Sequence, residues 1–188
     1  MNMPNRGKMT GVVDGLLKFA VFGGVITAGL VAPNSLKVLE KPAQKYFNKL
    51  DKRKREREYR KILRYMKANG LIKGDYEHGL QLTEKGRERA LKVEIEDVFM
   101  TRPDKWDGKW RIVLYDVPEK YKKGRDALTR KLKYFSFYQL QKSVWVFPFE
   151  CRKEIETITA TYEIDKYVTY LETNYIDKQE ILKEKFDL

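Results

Sequence analysis

Between Lys52 and Asn69 the apolar residues Tyr59, Ile62, Leu63 and Met66 fall at i, i+3, i+4 and i+7, the spacing of one helix face. Arg53, Arg57, Arg60, Arg64 and Lys67 repeat on a second, basic stripe of the same helix. Asn69-Gly70 punctuates its end, and Leu71-Ile72-Lys73 and Leu80-Gln81-Leu82, either side of a turn at Glu77-His78-Gly79, predict a small β-hairpin. Thr83-Glu84-Lys85-Gly86 leads into a further helix. After Trp106 the pattern predicts a strand over Trp110–Val117, a helix over Lys120–Phe135, and strands over Phe137–Gln141 and Ser143–Pro148. A helix over Arg152–Tyr162 and a strand over Lys166–Glu172 complete the order βαββαβ. Tyr121, Leu128, Leu132 and Phe135 supply the apolar face of the first of these helices, and Ile155, Ile158 and Tyr162 that of the second.

The run from Phe19 to Ala32 is apolar and uncharged over 14 residues, and Pro33 closes it. A bilayer takes about 20 apolar residues to cross, so this run predicts a buried helix rather than a membrane span or export signal. Gly23, Gly24 and Gly29 allow close packing there, and Pro33-Asn34-Ser35 marks a turn and a cap for the next helix. A chain of 188 residues with 42% hydrophobic content suits two small domains. The expected class is α+β: an N-terminal helical domain with a hairpin over residues 11–98, a linker over 99–106, a βαββαβ domain over 107–173, and a tail over 174–188. A four-stranded sheet with both helices on one side needs cover on the other, which two copies supply by pairing, so a homodimer is expected. The tail, with Tyr175, Ile176, Ile181, Leu182 and Phe186, adds a strand or helix across that pairing.

Composition narrows the chemistry. The single Cys151 excludes an intrachain disulfide and fits a reducing, cytoplasmic compartment. With His78 as the one histidine, the composition argues against a Cys/His zinc cluster or a Cys-His nucleophile within one chain. His78 reads as a solvated turn residue and Cys151 as a small apolar one. Trp106, Trp110 and Trp145, set among β-branched and aromatic neighbours, read as packing residues. The net charge of +12 is concentrated in the first half, where residues 1–105 carry 23 basic and 13 acidic side chains, against 16 and 14 in the rest. Such an excess favours polyanions. From Lys45 to Lys67 there are 11 basic and three acidic residues, more than Glu56 and Glu58 can neutralise through local ion pairs. Arg53, Arg57, Arg60, Arg64 and Lys67 are therefore the expected nucleic-acid contacts, mostly to phosphates of double-stranded DNA.

Two resemblances add to this. The phrase from Gly70-Leu71-Ile72 through Leu80-Gln81-Leu82-Thr83-Glu84-Lys85-Gly86-Arg87 resembles the hairpin and following helix of winged regulators, over roughly residues 11–92. This implies a winged helix-turn-helix domain that lays its basic helix in the major groove. Tyr115-Asp116-Val117-Pro118 with Gln141-Lys142-Ser143-Val144-Trp145 resembles the ferredoxin-like domain of the small CRISPR-associated adaptation endonucleases. A similar domain forms the middle of the PaaX-type transcriptional repressors. In the nucleases the strand-end acid is the proposed metal ligand, which carries over to Asp116 as catalytic and metal-binding candidate with Mg²⁺ or Mn²⁺. The same carboxylate can instead cap the helix beginning near Lys120.

Three functions follow and stay open on the sequence. One is a dimeric, non-enzymatic DNA-binding regulator. The second is a metal-dependent endonuclease hydrolysing phosphodiester bonds, with two Asp116 side chains meeting across a two-fold axis. The third is a DNA-bridging adaptor for a partner integrase. The regulator or adaptor accounts for the basic helix, the hairpin and the sheet; the nuclease accounts chiefly for Asp116.

Overall fold

A computed structural model describes residues 6–21, 41–75 and 79–188. The apolar run beyond Val21, the Pro33-Asn34-Ser35 turn and His78 lie outside them. The chain divides into two units, Met1–Glu94 and Ile95–Leu188. The structure is mixed α and β throughout, with a two-stranded and a four-stranded sheet among the described residues.

The first unit contains α1 (Arg6–Val21), α2 (Lys41–Asn48), α3 (Lys52–Ala68), the strands β1 (Ile72–Asp75) and β2 (Gly79–Leu82), and α4 (Glu84–Glu96), whose last turn contains the division. Val12, Val13, Leu16 and Leu17 of α1 form one buried core with Phe47 of α2 and with Tyr59, Ile62, Leu63 and Met66 of α3. Three residues join α2 to α3, and Arg55 closes the turn by donating to the carbonyls of Phe47 and Leu50 at 3.2 and 3.0 Å. Asp51 caps α3, accepting from the Lys54 backbone N–H at 2.9 Å and so satisfying a donor the helix leaves open. At the other end Gly70 takes φ +66°, and the N–H groups of Gly70 and Leu71 return to the carbonyls of Lys67 and Met66. This left-handed closure turns the chain straight into the hairpin, which runs antiparallel from Ile72↔Leu82 to Asp75↔Gly79. Thr83 then opens α4, its hydroxyl donating to Gly70 O at 2.6 Å and accepting from the Gly86 N–H at 3.1 Å. Among the described residues, no helix is long and apolar enough to cross a membrane.

In the second unit β3 (Trp110–Tyr115), α5 (Lys122–Tyr134), β4 (Tyr138–Gln141), β5 (Val144–Phe147), α6 (Arg152–Thr161) and β6 (Val168–Thr173) follow the order βαββαβ, and α7 (Gln179–Phe186) ends the chain. The sheet runs β4-β5-β3-β6, every neighbouring pair antiparallel. Strand alternation sorts the side chains. Val113, Tyr115, Trp145 and Phe147 join Leu128 and Leu132 of α5 and Ile155 and Ile158 of α6 in one core. On the opposite face Trp110 and Val146 pack with Leu182, whose burial contributes about 1.5–3 kcal/mol, and with Phe186. The tail is thus a helix lying on the sheet of its own chain. Cover sought from a second copy is supplied at this end by α7.

The helix expected to begin at Lys120 is preceded by a short 3-10 turn, Glu119–Tyr121, so α5 proper starts at Lys122. Pro118 stands at the cap position of that turn, with Tyr121 N–H donating to its carbonyl. The expectation that Asp116 caps a helix is corrected here. Asp116 lies two residues upstream of the cap, and its own N–H is spent on Tyr167 O at 3.0 Å.

Candidate functional site

At 100° per residue Arg53, Arg57, Arg60, Arg64 and Lys67 fall within about 80° of the α3 surface, along a row about 21 Å long. All five are exposed, whereas Tyr59, Ile62, Leu63 and Met66 hold the opposite side in the core. Four of the other charges of the helix are used locally. Lys54 pairs with Asp51 at 3.1 Å, Arg55 holds the α2–α3 turn, and Glu58 faces Lys61 and accepts from the Tyr46 hydroxyl at 2.9 Å. Burial, with Glu58 beside it, pushes the Tyr46 hydroxyl up to about 12. Among the described residues the four arginines of the row form no ion pair and no side-chain hydrogen bond. Lys67 differs, donating to Gly74 O at 2.8 Å and so fastening the end of the row to the hairpin. The geometry leaves a straight line of unneutralised guanidinium groups beside a β-hairpin, each able to fork onto a phosphate.

Asp116 lies in the other unit, where β3 runs out. Its carboxylate is exposed at a cleft of about 500 Å³ between the ends of β3 and β4, the 3-10 turn and one side of α5. The cleft wall is internally satisfied. Arg125 pairs with Glu119 at 3.0 Å and Lys122 approaches the same carboxylate at 3.5 Å; Arg125 first, then Lys122, hold Glu119 below the usual carboxylate range. The Tyr115 hydroxyl shares a hydrogen bond with Thr129 Oγ1 at 2.9 Å and accepts from Trp145 Nε1 at 3.2 Å. Lys142 and Ser143, from the β4–β5 turn, complete the rim.

A hard divalent cation takes six or more oxygen ligands. This cleft offers the single free carboxylate of Asp116, a Glu119 already committed to two cations, and the ammonium of Lys142. Among the described residues no three His, Cys, Asp or Glu side chains gather as a metal site. The described residues of one chain therefore gather no carboxylate cluster for Mg²⁺ or Mn²⁺ at this cleft.

Of the residues singled out by sequence, the five α3 cations are brought onto one line, and Asp116 stands apart in the second unit. Arg125, Thr129 and Ser143 of the cleft were missed as site residues. The turn Gln141-Lys142-Ser143 was a visible signal, since it carries the family resemblance, but only the fold shows that it faces the end of β3. Cys151 is wholly buried and burial pushes its thiol up to about 12, so it is a packing residue. Trp110 and Trp145 are buried, and Trp106 packs on Trp110 with ring centroids 4.8 Å apart.

No curated protein matches the chain significantly. Residues 103–183 match the family model of the PaaX protein central Cas2-like domain, so this stretch is similar to that domain.

Proposed function

We propose that this chain is a dimeric DNA-binding protein, a PaaX-like transcriptional regulator or a DNA-bridging adaptor for a partner integrase, working in the cytoplasm. The first unit acts as a winged helix-turn-helix domain. Its support is the succession of α2, a three-residue turn, the cationic α3 and a hairpin, with the hairpin as wing. The second unit acts as a ferredoxin-like dimerisation domain, a reading supported by the βαββαβ order, the strand order β4-β5-β3-β6 and the PaaX-type match. The observation that carries the proposal is the row of four arginines on α3, exposed and unpaired among the described residues. A solvated face usually disperses its charge among compensating acids; this one concentrates it on a single line.

Each phosphate neutralised contributes about 0.9 to the slope of log affinity against log salt concentration. Replacing Arg57, Arg60 and Arg64 together with Ala should weaken binding of a labelled duplex and flatten that slope by about one for each lost phosphate contact, read by fluorescence anisotropy across a salt series. An unchanged slope would sink the role of α3. Asp116→Ala should retain duplex as the wild type does. If wild type cuts DNA or RNA with Mg²⁺ or Mn²⁺ and Asp116→Ala does not, the protein is instead a metal-dependent endonuclease.

A further inference from the structure

The strand-end cleft presents unlike charges for which the chain itself has no use. Asp116 and Lys142 both line it and both are exposed. Among the described residues neither side chain makes an ion pair or hydrogen bond, with the other or with any third group. The Ser143 hydroxyl is likewise unengaged among the described residues. Everything else on the wall is committed: Glu119 to Arg125 and Lys122, and Tyr115 to Thr129 and Trp145. These closed pairs hold the wall in place and leave three free groups, one anionic, one cationic and one neutral.

A simple cation entering here would meet Asp116 but also Lys142 and the Arg125 guanidinium. A simple anion would meet Lys142 but also Asp116 and Glu119. A molecule carrying both charges meets a complement at each. The volume of about 500 Å³ lies within the usual range for small-molecule sites, and Val117 with the Tyr115 ring provides an apolar side. We propose that this cleft binds a small zwitterion of the α-amino acid class. The ligand ammonium faces Asp116, its carboxylate faces Lys142 and Ser143, and its side chain lies toward Val117 and Tyr115. For a DNA-binding regulator such a site would be where a metabolite is sensed, but the binding itself does not depend on that reading.

The test is calorimetric titration of the full chain, without nucleic acid, with a panel of the common L-amino acids. Phenethylamine, which carries only the ammonium, and 3-phenylpropionate, which carries only the carboxylate, are run beside it. At least one amino acid should bind saturably, and the single-charge analogues should bind at least about tenfold more weakly. Asp116→Asn and Lys142→Gln should each weaken the amino acid by about tenfold or more. Because neither side chain has a partner among the described residues, both variants should keep the wild-type melting temperature, which shows that the loss is at the site. Absence of binding by every amino acid, or binding that both substitutions leave unchanged, overturns the proposal. So does a Mg²⁺ isotherm that Asp116→Asn abolishes while no amino acid binds, which would give the cleft to a cation. None of these outcomes touches the α3 salt dependence, so the two readings fail separately.

Discussion

Arg111 is charged, yet its side chain is only 4% exposed within the second unit. Both oxygens of Asp107 accept from its guanidinium at 2.6 Å, and the carbonyls of Lys109 and Pro148 accept at 2.8 Å, so the start of β3, the turn before it and the end of β5 are fastened by one side chain. The Arg111 hydrogen bond holds the Asp107 carboxyl down to about 2, and Asp107 in turn raises Arg111. A carboxyl whose folded value lies below its unfolded value of about 3.9 stabilises the fold above that pH. That contribution drains away as pH falls from about 4 toward 2. Asp107 is half exposed, so the contribution at neutral pH is discounted to about 1–2 kcal/mol. Asp107→Asn should therefore lower the urea midpoint at pH 7 and flatten its loss between pH 5 and about 2. A midpoint unmoved at pH 7 would mean that the two carbonyls and Glu150, 3.5 Å away, suffice to hold Arg111. Sequence reasoning placed Arg111 inside a strand but gave no hint of burial. Its partner carbonyl at Pro148 lies 37 residues away, and a charged residue in an apolar run reads as one that points to water. The α3 cations were legible for the opposite reason: their partners, core on one side and solvent on the other, follow from the helical repeat alone.

Helix ends show the same division between local and distant causes. α3 and α5 close with the same left-handed turn, Gly70 at φ +66° in one and Ser136 at φ +64° in the other. Asn69-Gly70 announces the first, whereas Ser136 is conformationally unremarkable in sequence and is held by the N–H of Phe137 returning to Leu132 O at 2.9 Å. The short tail helix was not distinguishable from a strand, because Ile181, Leu182 and Phe186 suit either and what settles the matter is Trp110 and Val146 on the sheet beneath. Gly86 is a third case. In the sequence it lies within a helix-forming stretch, where Ala would be the better residue by about 1 kcal/mol. In the fold its Cα sits against the Leu71 carbonyl, and a Cβ would collide with that backbone oxygen, as the next contact, Leu71 C at 2.9 Å, already indicates. Gly86→Ala should consequently destabilise the first unit by about 1–3 kcal/mol despite its better propensity. Thermal unfolding followed by circular dichroism would read the sign, and a gain in melting temperature would mean that the junction between α3 and α4 yields freely.

Whether the proposed DNA contact would be made by one chain or two turns on the sheet face that carries α7. Cross-strand partners point to the same side, so Ile112 and Leu171 share this face, as do Leu114 and Val144. α7 covers the Trp110 and Val146 end, burying Leu182 almost completely, while Leu171 is 47% exposed and Leu114 and Val144 are half-buried. The need for cover that argues for pairing therefore persists over part of the sheet, and dimerisation through that remainder is our expectation. Two chains would present two α3 rows, and linking them makes the second contact with a duplex intramolecular, raising apparent affinity on the order of a hundredfold or more over one row. Leu171→Glu places a charge in the middle of this strip, where burial without a partner is costly. The substitution should convert a dimer to a monomer in sedimentation velocity, leave the melting of the folded chain close to wild type, lower duplex affinity on the order of a hundredfold, and cut the salt slope by about half. A wild-type protein that sediments as a monomer at micromolar concentration would remove the dimer from the proposal. A Leu171→Glu protein that stays dimeric would keep the dimer but move it to another surface, and duplex affinity would then be expected to remain at the wild-type level.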